Sequence, residues 1–376
     1  MPGTRHEPAT AAPAQVKILS GWRDLRTLEP AIETLQRAAG TPVTARFSWW
    51  RAALAAERGA VPVGLTLTGP GGTLIATALV ALRDRDGVRE VISGRPDSDD
   101  VWDVAATSPG YRRAVLGELA GFARRLDRSW RLILTGLRDD HDAAWLAGRL
   151  PAGRAVPAPP VPGIAFTHDE VTLAPGIRRG LDRSGHRIGQ HALRETIEFE
   201  REPARLAALR DEIEAVHRAR DHDAGRVSDL DGTAGVVFWR SVYDVHAARG
   251  ELEVATLRLD GHLAAYVIAL VDSPAYRVFD GRFAPAWRHY SPGRRLEAAV
   301  VDHACRRHFG SLDWMSSIAP EKLVASTCAE PRWTVTAAAE APPSFGAGSP
   351  PSFTAGSPPS FTAAGGSVLT MTAAVP

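Results

Sequence analysis

The strongest constraint on this chain is internal repetition. Gly71 to Leu82 (GGTLIATALVAL) lines up with Leu259 to Leu270 (LDGHLAAYVIAL) at a shift of 188 residues. Val91-Ile-Ser-Gly-Arg95 lines up with Val278-Phe-Asp-Gly-Arg282 at a shift of 187, so one shift with a single insertion or deletion serves both. The order of apolar patterns repeats as well. In the first half Leu25, Leu28, Ile32 and Leu35 have helical spacing around Pro30. Strands follow at 61–68 and 73–82 across a Gly69-Pro-Gly-Gly72 turn, then a strand at 88–93, a helix through Val115, Leu119, Phe122 and Leu126, and a strand at 130–137. In the second half Pro203 opens a helix carrying Leu206, Leu209, Ile213 and Val216, and Phe238, Val242 and Val245 mark another. Strands at 252–259, 262–271 and 275–282, a helix from Pro292 toward Gly310 and a strand at 311–317 complete it. The implied fold class is α+β: two tandem copies of one domain, each a mixed, mostly antiparallel sheet flanked by helices.

The 376 residues leave room for two domains and their extensions. Residues 1–15, rich in Pro, Ala and Thr, read as disordered. The stretch PAGRAVPAPPVP, Pro151 to Pro162, reads as a linker over 151–165, between an N-terminal domain at 16–150 and a C-terminal one at 166–336. After Glu340 no charge remains, and Pro-Pro-Ser-Phe recurs at Pro342, Pro350 and Pro358. Residues 337–376 therefore read as a disordered tail, too poor in aliphatic side chains to offset its ordering entropy.

Composition removes several function classes. With 44 Lys+Arg against 43 Asp+Glu, the net charge of +1 argues against a non-specific nucleic-acid binder. Cys305 and Cys328 cannot build a disulfide framework or a four-cysteine zinc site. The longest apolar run, Leu263 to Val271, is short of the ~20 residues of a spanning helix, and the N-terminus lacks an apolar signal core. The expectation is a soluble cytoplasmic protein without a membrane partner. No Gly-x-Ser-x-Gly elbow occurs, and neither Lys17 nor Lys322 follows a Gly-rich phosphate loop. His217, Asp221, His222 and Asp223 read as a solvated, charged helix end, and no metal is expected.

The chemistry concentrates between Ala275 and Lys322. A strand ends, a loop crosses, and Tyr290-Ser-Pro-Gly-Arg-Arg-Leu296 opens a helix whose buried stripe is Leu296, Val300 and Ala304 with Val301 and Cys305. Pro292 fits the first helical turn, Gly293 lets backbone amides approach a ligand, and Arg294 and Arg295 add charge to a positive helix end. Such a start suits a pyrophosphate, held by Tyr290, Ser291, Pro292, Gly293, Arg294 and Arg295.

This arrangement resembles the GNAT superfamily of acyl-CoA N-acyltransferases, and more closely its two-domain CelD-like and FemAB-related branch. The residues that carry the resemblance are Leu252–Leu259, Asp260-Gly261, Ala264–Leu270, Tyr290-Ser-Pro-Gly293 and Asp313, with Val216-His217-Arg218-Ala219-Arg220, Phe238-Trp239 and the acidic segment Gly94–Asp103. The resemblance implies transfer of an acyl group from acetyl-CoA or another acyl-CoA to the amine of a small molecule or sugar. It places a general base at Asp280, on the strand before the loop; Tyr290 is a candidate acid for the leaving thiolate, and Asp313 a candidate to orient the acceptor. Two alternatives stand beside it. One is a FemAB-type transferase using aminoacyl-tRNA, with Arg288, Arg294, Arg295, Arg306 and Arg307 toward the tRNA. The other is a non-catalytic binding protein of the same fold.

Overall fold

The structure, a computed structural model, describes residues 15–94, 101–166, 171–315, 328–340 and 369–372. In chain order the first half forms β1 (Gln15–Ser20), α1 (Trp22–Ala38), α2 (Phe47–Ala56), β2 (Val61–Thr68), β3 (Leu74–Arg85), β4 (Val88–Ile92), β5 (Ala105–Ala106), α3 (Pro109–Arg124), β6 (Trp130–Leu137) and α4 (Asp140–Ala147). Then come β7 (Arg154–Ala165), α5 (Pro175–Gln190), β8 (Glu195–Glu200), α6 (Pro203–Asp223), α7 (Thr233–Ala248), β9 (Leu252–Leu259), β10 (His262–Asp272), β11 (Ala275–Phe283), α8 (Pro292–Arg306) and β12 (Ser311–Asp313). The last strands are β13 (Cys328–Ala339) and β14 (Leu369–Thr372). Two compact units result: residues 1–50, 59–156 and 333–376, and residues 51–58 and 157–332.

In the first unit the strands run β14-β1-β2-β3-β4-β6-β13, with β5 beside β3. Only β4 and β6 pair in parallel, because α3 carries the chain across between them. The β2–β3 turn uses Gly71 and Gly72, both at φ 78°, where a side chain would be strained. Alternate residues of β2 and β3 (Val63, Leu65, Leu67; Ala76, Ala78, Val80) meet Val115, Leu116 and Leu119 of α3 in a closed core. Pro30 lies within α1 without ending it.

In the second unit the order is β7-β12-β11-β10-β9-β8, and again one pair, β11 with β12, is parallel and bridged by a helix, α8. Strand for strand this repeats β13-β6-β4-β3-β2-β1, so the duplication inferred from sequence is a duplication of topology. One face of this sheet is apolar. There Ala255, Leu257, Tyr276 and Val278 pack with Leu296, Val300 and Val301 of α8 and with Ile188 of α5. On the other face Tyr266 and Asp280 meet His217 of α6 and Trp239 of α7.

Two expectations about the ends of the domains need correction. The supposed linker 151–165 is mostly strand, β7. Its pairs with β12 begin at Gly163, beyond Pro162, where every residue can again donate to the ladder. Residues 337–339, expected in the tail, are strand, because β13 pairs with β6 through Ala339, and residues 369–372 pair with β1; residues 341–368 and 373–376 lie outside the described residues. Val335 and Ala337 are buried there, so the ordering cost is met by core contacts. Residues 1–14, most of the acidic segment after Gly94, and the three Phe-bearing repeats lie outside the described residues.

Candidate active site

Strand β11 brings the site together through one irregularity. Asp280 pairs with Ile268 and Val278 with Ala269, which leaves Phe279 as an extra residue, a β-bulge. In a regular strand Asp280 would share the α8 face with Val278; the extra residue turns it toward α6 and α7 instead. Pairing with β12 stops at Arg277 opposite Asp313, and among the described residues no strand continues on that side of β11.

Asp280 is a fully engaged anion. Its Oδ2 accepts from Tyr266 Oη at 2.8 Å and Trp239 Nε1 at 3.2 Å and lies 3.0 Å from His217 Nδ1. Its Oδ1 accepts from the Gly281 amide at 2.8 Å and Arg282 Nη1 at 2.9 Å. Burial pushes its pKa up, but the His217 hydrogen bond, the Arg282 charge and Tyr266 outweigh that and hold it at about 2. A general base needs a free lone pair and a pKa near the working pH. In this geometry both oxygens of Asp280 are engaged and its pKa is held low, the features of a buried clamp.

The clamp extends to a pair that the sequence reading left in solvent. His217 and Asp221 are 3% and 4% exposed, one helical turn apart on α6, with Nε2 3.0 Å from Asp221 Oδ2. Asp221 also meets Arg226 Nη2 at 2.6 Å and Arg282 Nε at 3.3 Å. Burial raises its pKa, and Arg282, His217 and Arg226 together bring it below the ordinary carboxylate value. Tyr266 is pushed well above its usual value, first by burial and then by Asp280, so it remains a donor. The i, i+4 spacing of His217 and Asp221 was the available signal. His222, by contrast, is exposed and bonds Asp231 at 2.7 Å.

The other two groups assigned to catalysis are also committed. Asp313 is ion-paired with Arg277 and accepts from the Met315 amide at 2.8 Å, which makes it a strand-end anchor. Tyr290 Oη lies 2.5 Å from His191 Nδ1, just past the end of α5.

At the start of α8 Ser291 is left-handed (φ 52°, ψ 45°) and its side chain caps nothing. Its own amide bonds the Arg288 carbonyl, and the Arg295 amide bonds the Ser291 carbonyl. The amides of Gly293 and Arg294, between them, receive no side-chain cap. A Cβ on Gly293 would lie 3.2 Å from Phe283 Cδ1, so the glycine is needed first for packing against the end of β11. Arg295 does not face a ligand. Its Nε and Nη2 fork onto Glu195 at 2.6 and 2.5 Å, and its Nη1 bonds the Leu181 carbonyl and Ser184 Oγ. The other arginines expected to meet tRNA are likewise paired: Arg288 with Asp223, Arg294 with Glu297, Arg306 with Asp302 and Arg307 with Glu253.

The first unit holds the same tripeptide at the equivalent place. Ser108-Pro109-Gly110 opens α3, but Ser108 is extended (φ −154°) and its Oγ accepts from the Tyr111 amide at 3.3 Å. Ser93 stands where the second unit has Asp280. One copy of the helix start is closed by its own serine; the other is open.

Residues 176–323 match the family model described as an acetyltransferase (GNAT) domain. The matched residues lie within the second unit and support an acyltransferase. Similar solved structures include FemX, with 9% identity over 81% of this chain and 95% of that one, at TM-score 0.56. A C-terminal domain of a putative lysylphosphatidylglycerol synthetase from Agrobacterium fabrum has 12% identity over 81% and 92%, at TM-score 0.51. L-PGS from Bacillus licheniformis has 11% identity over 81% and 90%, also at 0.51. At these identities the likeness is one of fold. A search of curated protein sequences gives no match. No helix among the described residues is long and apolar enough to cross a membrane.

Proposed function

We propose that the protein is an acyl-CoA-dependent N-acyltransferase acting on the amine of a small molecule or sugar, with a single donor site at the start of α8. The observation that carries this reading is the contrast between the two Ser-Pro-Gly helix starts. Ser108 takes its cap into its own helix, whereas Ser291 is held left-handed and leaves the Gly293 and Arg294 amides for an anion. A left-handed L-residue costs about 1–2 kcal/mol, a cost that the cradle requires and an ordinary cap would not. Tyr290, Ser291, Pro292, Gly293 and Arg294 form the diphosphate end of the site; Arg295 braces it from behind.

The donor supplies an acyl thioester. The acceptor nitrogen attacks its carbonyl carbon, the carbon–sulfur bond breaks, and the amine proton leaves with the thiolate. Among the described residues no strand pairs with β11 on its β12 side beyond Arg277; in this reading the carbonyl oxygen meets backbone N–H groups of that stretch, and fixed donors of this kind stabilise developing charge without reorganising. Asp280, His217, Tyr266 and Arg282 act as positioning residues that hold the bulge in that stretch. The alternative, an aminoacyl-tRNA donor, would have to draw its five arginines from ion pairs made within the chain.

The test is thiol release from acetyl-CoA by the full chain across a panel of amines, with CoA binding measured by calorimetry. Binding in the micromolar range and amine-dependent thiol release are expected. Absence of CoA binding at millimolar concentration overturns the reading.

A further inference from the structure

Helix α5 stands apart from the rest of the second unit in its charges. It packs on the α8 face of the sheet, through Ile188 in the shared core and through the Arg295 bonds to Leu181 and Ser184. In the first unit the second helix on the corresponding face, α4, follows β6; here α5 takes that place from before β8. Arg179, Arg183 and Arg187 fall at i, i+4 and i+8, a ladder with about 6 Å between rungs. Its next rung is His191, bonded to Tyr290 beside the α8 start.

None of these arginines, nor Arg178, has an ion pair or side-chain hydrogen bond among the described residues. Arg187 Nε is buried without a partner. Asp182 is the single acid on the helix, and it too is unpaired. This is the reverse of the α8 start, where every nearby arginine has a carboxylate. At the foot of the ladder lies a set of rings: His191 stacks with His289 at 6.4 Å, and Tyr290 meets Trp287 at 6.0 Å and His289 at 5.4 Å. Unneutralised guanidinium groups suit phosphate oxygens, and the half-buried Trp287 and Tyr290 rings beside the exposed His191 and His289 suit a flat aromatic base.

We infer that the α5 ladder and this ring set form the docking surface for the nucleotide end of the donor. Arg183 and Arg187 bind the ribose 3′-phosphate, and the rings at Trp287 and Tyr290 face the purine. The inference rests on the acyl-CoA reading and deepens it. The protein selects its donor by the nucleotide handle and discriminates against donors that end at phosphopantetheine.

The experiment is calorimetric titration of the full chain with CoA, 3′-dephospho-CoA and 4′-phosphopantetheine, for the wild type and the Arg183→Gln/Arg187→Gln variant, with circular dichroism to verify folding. Wild type is expected to bind CoA about tenfold or more tighter than dephospho-CoA, as one or two charge-assisted bonds would give. The double variant should lose that preference while its affinity for phosphopantetheine is unchanged. If the variant is misfolded, the wild-type comparison of CoA with dephospho-CoA still decides. Equal wild-type affinity for the two, or a preference retained by the folded variant, overturns the α5 assignment and leaves the donor reading standing. Failure of CoA and phosphopantetheine alike overturns the donor reading itself. Binding of a single-stranded RNA oligomer more tightly than CoA, lost in the variant, would overturn the nucleotide assignment in favour of a phosphodiester strand.

Discussion

Replacing Asp280 by Asn separates a clamp from a catalytic base. The carboxylate has a pKa of about 2 in the folded protein against a reference of 3.8, a difference worth about 2 kcal/mol in favour of folding above the reference pKa. Its pKa is depressed on folding, so this stability is present at neutral pH. It is lost as pH falls from about 4 through 2. Asn removes the charge that Arg282 and His217 face. It also sets an amide –NH2 against either the two donors at Oδ1 or the three groups at Oδ2. Leaving buried partners uncompensated costs about 3–5 kcal/mol, so a loss of at least 2 kcal/mol is expected at pH 7. For a unit of this size that is about 2–4 °C per kcal/mol in thermal midpoint, read by tryptophan fluorescence across pH 3 to 8. The variant should melt several degrees lower at pH 7, and the part of the gap due to the carboxylate's charge should shrink to roughly half by pH 3. A variant that melts like wild type at pH 7 while losing turnover would refute the clamp and restore Asp280 as the proton acceptor.

Ser108→Ala should cost about 1 kcal/mol through loss of the α3 cap, whereas Ser291→Gly should raise the thermal midpoint by relieving the left-handed residue; equal effects at both positions would erase the proposed difference between the helix starts. Arg295→Ala should lower stability by about 2–3 kcal/mol, because it strands Glu195 and unties α8 from α5. Unchanged stability with a raised KM for the donor would return Arg295 to the phosphate. Gly293→Ala should destabilise by about 1 kcal/mol through its contact with Phe283, and Phe283→Leu in the same chain should recover most of it; no recovery would locate the glycine's purpose elsewhere.

Much of the frame was legible because it is local. Strand β9 at 252–259 and strand β6 at 130–137 follow from apolar runs bounded by turn residues, and the repeated Gly-containing hairpins set the register of β2–β3 and β9–β10. Helix α8 was readable from Pro292 and its apolar stripe. Helix α5 and strand β8 of the second unit gave no such signal: α5 is rich in Arg and Gly, and β8 mixes acids with Thr, Ile and Phe. Burial of Ile188 and Ser184 against the sheet, not propensity, makes α5 a helix of this unit.

The primary structure by itself determined that two copies of one α+β unit exist and that one helix opens on Ser-Pro-Gly beside a strand end. Tertiary structure decided what each charged residue does. Whether an arginine meets a phosphate or a carboxylate depends on partners about 100 residues away, as Arg295 and Glu195 are. Whether Asp280 takes a proton or holds a fold depends on a one-residue bulge that changes the face it points from. Charge chemistry is fixed by three-dimensional neighbours and by exclusion of water, and neither is written in residue spacing.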